Sequence, residues 1–82
     1  MKFIIKHEMK GRMRVRLSQK RMTYEQADIL QYYLLCNESV KLAKVYDRTC
    51  DAVINYTGDR EDVIRLLQEF HYQTVEVPAD VL

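Results

Sequence analysis

The feature of this chain that most constrains its fold is a strict alternation of basic and apolar residues in the run RMRVRL, residues 12–17. Because successive side chains of a β-strand point to opposite faces, this pattern predicts a strand that is buried on one face only. We expect its apolar members to face the core and its basic members, Arg12, Arg14 and Arg16, to face away from it. The sheet that contains this strand therefore has one open face.

The periodicity of the remaining sequence predicts two helices and three further strands. Thr23 and Gln26 have the spacing of a capping box, and Asp59 is a suitable N-cap for a second helix. An extended segment over 3–8 has no predicted partner. The order predicts an α+β, ferredoxin-like βαββαβ sandwich, with both helices on one face of a four-stranded antiparallel sheet and an extra N-terminal extended segment. The predicted helices lie near 23–36 and 60–70, and the strands near 12–17, 40–46, 52–57 and 72–77.

Length and composition favour a single small domain. The chain has 82 residues, of which 48% are hydrophobic, so we expect one domain over 1–82 with its core in 11–77 and the start of a linker in 78–82. No apolar run approaches the roughly 20 residues of a membrane span, and the charged start does not resemble a signal peptide. These features predict a cytoplasmic domain, in which two cysteines without a Cys-x-x-Cys spacing remain free thiols.

Charge is distributed unevenly along the chain. Residues 1–22 carry eight Lys or Arg side chains against Glu8 alone, although the net charge of the whole chain is only +1. The face formed by Arg12, Arg14 and Arg16 is therefore our candidate docking surface for acidic protein, nucleic acid or lipid headgroups. The alternative is a solvated strand face whose arginines pair with carboxylates. The outward positions 53, 55 and 57 of a neighbouring strand hold no aromatic residue, which argues against RNA binding by base stacking.

Metal-binding and catalytic signals are weak. Cys36, Cys50, His7 and His71 are the residues whose side chains most commonly bind soft metals, but their separation in sequence does not indicate a shared site. No nucleophile with a base and no paired-carboxylate arrangement is evident, and two glycines in all argue against a phosphate-binding loop. The sequence thus predicts that this fragment has no catalytic residues and is not an enzyme by itself.

The order of motifs resembles the heavy-metal-associated domain. The resemblance is carried by SVKLAKVY at 39–46, AVINY at 52–56, VIRLL at 63–67 and HY at 71–72, and it covers roughly 11–77. The metal loop of that family, a Cys-x-x-Cys between its first strand and first helix, is replaced here by SQKRM at 18–22. Ser39 and His71 stand where the family usually has glycines. The start HEMKGRMR at 7–14 is similar to a cysteine-free branch at the N-terminus of bacterial zinc/cadmium-type P-type ATPases.

The resemblance implies a regulatory or docking domain without a metal site. Its parent would be a transporter in the bacterial plasma membrane that uses ATP, magnesium and a transported divalent metal, and its partners would be the parent's other cytosolic domains. No cofactor is implied for the fragment itself. Two alternatives from other classes remain: a stand-alone protein-interaction module that forms a homo-oligomer through a sheet edge, and a nucleic-acid-binding domain.

Overall fold

Along the chain, each of the two helices follows a pair of strands. The computed structural model describes residues 1–80, so residues 81 and 82 of the predicted linker lie outside the described part. No helix in the described part is long and apolar enough to cross a membrane. The elements are β1 (Phe3–Met9), β2 (Arg12–Leu17), α1 (Tyr24–Leu35), β3 (Val40–Tyr46), β4 (Asp51–Tyr56) and α2 (Arg60–Gln68), with a short 3-10 turn over Tyr72–Thr74.

The four strands form one antiparallel sheet in the order β1-β2-β4-β3. Four antiparallel strands and two helices confirm the predicted α+β, ferredoxin-like fold class. Both helices contribute to a single apolar core on one side of the sheet. The side chains of β2 behave as the alternation predicts, because Met13 and Val15 are 0% exposed while Arg12 and Arg14 are exposed.

The predicted strand over 72–77 is wrong. That segment forms the turn Tyr72–Thr74 and then irregular backbone, and the edge position beside β2 is occupied by β1. The hairpin between β1 and β2 turns at Gly11, whose φ of +79° is in the left-handed region that glycine adopts without strain. Because β4 pairs with the other side of β2, segment 72–77 finds no free edge of that strand.

The C-terminal segment packs on the core through aromatic side chains. The ring of Tyr72 meets the ring of Phe70 edge-on, with 4.7 Å between centroids, and the ring centroid of Tyr33 lies 4.8 Å from that of Phe70. The Tyr72 hydroxyl donates a hydrogen bond of 2.7 Å to the side-chain oxygen of Gln19 in the loop between β2 and α1. Burial raises the pKa of the Tyr72 hydroxyl, so it remains a donor at neutral pH.

The caps that the sequence predicts are present at both helix starts. The backbone N–H of Gln26 donates to the Thr23 hydroxyl at 3.0 Å, and the Thr23 N–H donates to the Gln26 side chain at 3.1 Å, which completes the capping box. At α2, the Asp59 carboxylate accepts from the Glu61 N–H at 3.1 Å. These caps fix the residue at which each helix begins.

Candidate functional site

The face of the sheet opposite the helices is the candidate site, and we call it the open sheet face. The strand registers place three residues of each strand on it, in three rows that run across the sheet. The rows are Ile4–Arg16–Asp51–Tyr46, His7–Arg14–Val53–Lys44 and Met9–Arg12–Asn55–Leu42. The face thus has a basic column on β2, mixed residues on β4, and apolar residues at the corners.

A buried carboxylate holds two of the arginines. Asp51 is only 1% exposed, and it accepts from Arg14 Nε at 2.9 Å, from Arg16 Nε at 2.7 Å and from Arg16 Nη2 at 3.3 Å. The two arginine side chains remain 44% and 43% exposed, so they cover Asp51 from the solvent side. Arg14 and Arg16 thus follow the alternative in which the arginines of the strand pair with carboxylates, although part of each side chain remains at the surface.

The ion pairs keep all three side chains charged. Hydrogen bonds from Arg16 lower the pKa of Asp51, and those from Arg14 act in the same direction, whereas burial of the carboxyl opposes them. The same contact raises the pKa of the Arg16 guanidinium above its already high value. Asp51 is therefore ionised at neutral pH and serves as a fixed counter-charge, so that Arg16 is the arginine least available to a partner.

Arg12 and Lys44 complete the positive charge of the face. Neither has an ion pair with any group in residues 1–80. Lys44 and Arg14 lie 5.5 Å and 5.4 Å from the ring centre of Tyr46, within the range of a cation–π contact. A groove of about 390 Å³ on this face is lined by His7, Met9, Arg12, Arg14 and Val53. Arg12 and Arg14 make this groove basic, and Val53, which is only 6% exposed, contributes apolar surface to it.

The corners of the open sheet face are apolar and exposed. Ile4 is 55% exposed, Met9 53%, Leu42 52% and Tyr46 38%, and together they are a majority of the exposed large apolar side chains in the described part of the chain. Two flank the basic column along β1 and two lie along β3. Large exposed apolar side chains grouped beside charges are typical of a surface that binds a partner.

One polar atom on this face lacks a hydrogen bond. The side-chain oxygen of Asn55 is buried and has no partner among residues 1–80, and its register neighbours are Arg12 and Leu42. Buried polar atoms are usually satisfied, so this amide is unusual for a folded domain. Its position beside Arg12 puts the unsatisfied group at the end of the face where the arginine is also free.

The candidate metal ligands lie in four separate settings. His7 is on the open sheet face, Cys36 follows α1 and is exposed, Cys50 is buried in the turn between β3 and β4, and His71 precedes the 3-10 turn. Among residues 1–80 there is no group of three or more His, Cys, Asp or Glu side chains placed to hold a metal ion. The structure thus does not bring these four residues together into one site.

Apart from its three arginines and His7, the residues of the open sheet face were not identified as site residues from the sequence, and Asp51 and Tyr46 are two of them. Asp51 precedes the predicted strand 52–57, and Tyr46 ends the strand before it, so neither was placed on the same face as the arginines. Pairing β2 with β4 in register puts Asp51 directly opposite Arg16, and the pairing of β3 with β4 then places Tyr46 beside it. For Asp51 the signal was its parity with position 53, which the sequence already predicts to face outward.

Comparison of the chain with protein-family models, with curated proteins and with solved structures finds no match. The residues of the open sheet face and the motifs of the sequence are therefore the features that indicate a function.

Proposed function

We propose that this chain is a non-catalytic docking domain, shaped like a heavy-metal-associated domain but without its metal site, which belongs to a zinc/cadmium-type P-type ATPase. The observation that carries the docking role is the open sheet face, where Arg12, Arg14 and Lys44 lie among four exposed apolar side chains. A surface that is both basic and apolar is suited to binding an acidic protein surface, because charge sets the orientation of the partner and apolar contact supplies affinity.

The loop 18–22, which stands where the resembled family has its metal-binding loop, is held here by side-chain hydrogen bonds. Gln19 accepts from the Tyr72 hydroxyl at 2.7 Å and donates to the backbone oxygen of Arg21 at 2.6 Å. Its amide nitrogen also lies 3.4 Å from the Gln26 side-chain oxygen. One side chain therefore joins the loop, the first turn of α1 and the C-terminal segment. This supports a domain that keeps the family's shape while its loop is held by hydrogen bonds.

The parent assignment rests on the resemblance, and the chemistry belongs to the parent. ATP hydrolysis with magnesium and transport of the divalent metal would take place in its other cytosolic domains and its membrane part. The role of this domain would be to contact those cytosolic domains through the open sheet face and change the parent's activity. Such a contact would weaken as salt rises, because exposed charges are screened within about 10 Å at 0.1 M salt.

The parent assignment is tested in the gene and in the purified transporter. We expect membrane helices and phosphorylation-domain motifs downstream of this chain, and a metal-stimulated ATPase activity that changes when Arg12→Ala is introduced into the full-length protein. Arg48→Ala is the matched control, because Arg48 is an exposed arginine in the turn between β3 and β4, outside the open sheet face. A gene that encodes no membrane helices would refute the assignment of this domain to a transporter.

A stand-alone interaction module that self-associates by its sheet edges is the second candidate. Both edge strands are available in principle, but each contains a register irregularity, between Ile5 and His7 in β1 and between Val40 and Leu42 in β3. Exposed lysines lie within both strands, Lys6 in one and Lys41 and Lys44 in the other. Bulges and lysines are the features by which proteins discourage edge pairing, so they favour docking through the face. Sedimentation equilibrium of the chain distinguishes the two, since edge pairing predicts a dimer.

A further inference from the structure

The spacing of Arg12 and Arg14 matches the spacing of side chains on a helix. Arg12 and Arg14 are two residues apart on one strand, which is about 6.6 Å. Residues i and i+4 of an α-helix are about 6.0 Å apart along the axis and share one face. We propose that the open sheet face binds an acidic amphipathic helix of a partner protein, with carboxylates at i and i+4 opposite Arg12 and Arg14. This names the partner chemistry of the docking face proposed above and does not depend on the transporter parent.

The hydrogen-bonding state of the arginines selects which of them bind. Arg16 gives both Nε and Nη2 to Asp51, whereas Arg14 gives only Nε, and its terminal nitrogens make no hydrogen bond within residues 1–80. Arg12 has no hydrogen-bonded carboxylate in the same range. A guanidinium with free terminal N–H groups binds a carboxylate in bidentate fashion. Arg12 and Arg14 are therefore the pair available to a partner, and Asp51 holds Arg14 in place for it.

The width of the face also fits a helix. The two outer strands of a four-stranded sheet are about 14 Å apart, whereas a helix with its side chains is about 10–12 Å wide. A helix that lies along β2 and β4 therefore reaches Ile4 and Met9 on one side and Leu42 and Tyr46 on the other. The partner helix should carry apolar residues beside its acidic stripe, because these four corner side chains are exposed.

Other anionic ligands fit this face less well. An extended peptide binds a sheet by adding a strand at an edge, and the face offers no unpaired backbone groups for that mode. Single-stranded nucleic acid uses several aromatic side chains for stacking, whereas Tyr46 is the single aromatic residue on the open sheet face and already has Arg14 and Lys44 against its ring. Anionic lipid would be attracted by charge alone, without dependence on the i and i+4 spacing.

The test uses the 82-residue chain and a labelled synthetic helix of about 16 residues, with glutamates at i and i+4 flanked by leucines. Fluorescence polarisation measures binding at low and at physiological salt. We expect Arg12→Ala to weaken binding about five- to tenfold, and Arg12→Lys to weaken it less, since charge is kept but the bidentate geometry is lost. Arg48→Ala is the matched control and should leave binding unchanged. Thermal unfolding of Arg12→Ala should match the wild type, which separates lost binding from lost folding.

A peptide of the same composition with its glutamates at i and i+2, on different sides of the helix, should bind at least about fivefold more weakly. Equal binding of the two peptides, or an equal loss with Arg48→Ala, would overturn the proposal. Tighter binding of a single-stranded RNA oligomer or of phosphatidylserine vesicles through the same arginines would also overturn it. If the peptide does not bind but the ATPase activity of the transporter depends on Arg12, the proposal of a helical partner is refuted and the docking role stands. Peptide binding by a chain whose gene encodes no transporter would refute the parent alone.

Discussion

Replacing Asp51 with Asn removes the only negative charge of the open sheet face while keeping the shape of the side chain. Asp51 accepts three hydrogen bonds from two guanidinium groups, and hydrogen bonds to charged groups contribute about 1.5–3 kcal/mol each. Both arginines are more than 40% exposed and regain water when released, and the Asn oxygen still accepts one bond. We therefore expect the free energy of unfolding to fall by about 2–3 kcal/mol. For a chain of this size that is a decrease in Tm of about 10–20 °C.

Circular dichroism during thermal and urea unfolding at neutral pH measures this effect. Asp28→Asn is the matched control, since Asp28 is exposed in the middle of α1. Because the pKa of Asp51 is lowered in the folded chain, its contribution is complete above the pKa of an unfolded aspartate, about 4, and is lost as the pH falls further. The difference between wild type and Asp51→Asn should shrink in that acidic range. If Asp51→Asn lowers Tm no more than Asp28→Asn does, the buried ion pairs do not stabilise the sheet.

Three further results are expected. Val15→Asp should leave the chain unfolded in circular dichroism, because it places an unpaired charge at a position that is 0% exposed. Arg14→Ala should lower the free energy of unfolding by about 1 kcal/mol or less, since Arg16 still holds Asp51. Equal losses of stability in the two variants would contradict this expectation. Gly11→Ala should lower the free energy of unfolding by about 1 kcal/mol in urea titrations, because φ is +79° and the added Cβ would lie 3.3 Å from a backbone oxygen; an unchanged midpoint would contradict it. Titration of the reduced chain with zinc, cadmium and copper(I) should show no tight stoichiometric site, and a site lost in Cys36→Ser or Cys50→Ser would prove that expectation wrong.

Sequence periodicity predicted the elements whose pattern is set by their own residues. The alternation in 12–17 gave the bounds of β2, and the predicted strand 40–46 coincides with β3. The capping residues placed the helix starts within a residue of those observed, because a cap is a local hydrogen-bond arrangement. Which residues turn away from the core on β2 was equally predictable, since a strand has a period of two.

The pairing partner of β2 could not be predicted in this way. Segments 3–8 and 72–77 both contain β-favouring residues, and the choice between them depends on which one reaches the free side of β2. The hairpin with its turn at Gly11 needs only a short loop, so the N-terminal segment takes that side. The role of Asp51 was hidden for a related reason: its partners, Arg14 and Arg16, are distant in sequence, and only the register between β2 and β4 brings them together.

The origin of the edge strand also affects how the chain folds during synthesis. All four strands lie between Phe3 and Tyr56, so every residue of the sheet is synthesised before the residues of α2. An edge strand at 72–77 would instead close a loop of roughly 50 residues, at a greater entropic cost than the short loop of the hairpin. At the usual 5–20 residues per second, synthesis of the sheet is completed several tenths of a second or more before synthesis of the second helix. We therefore expect α2 to dock last, onto a sheet that is already assembled.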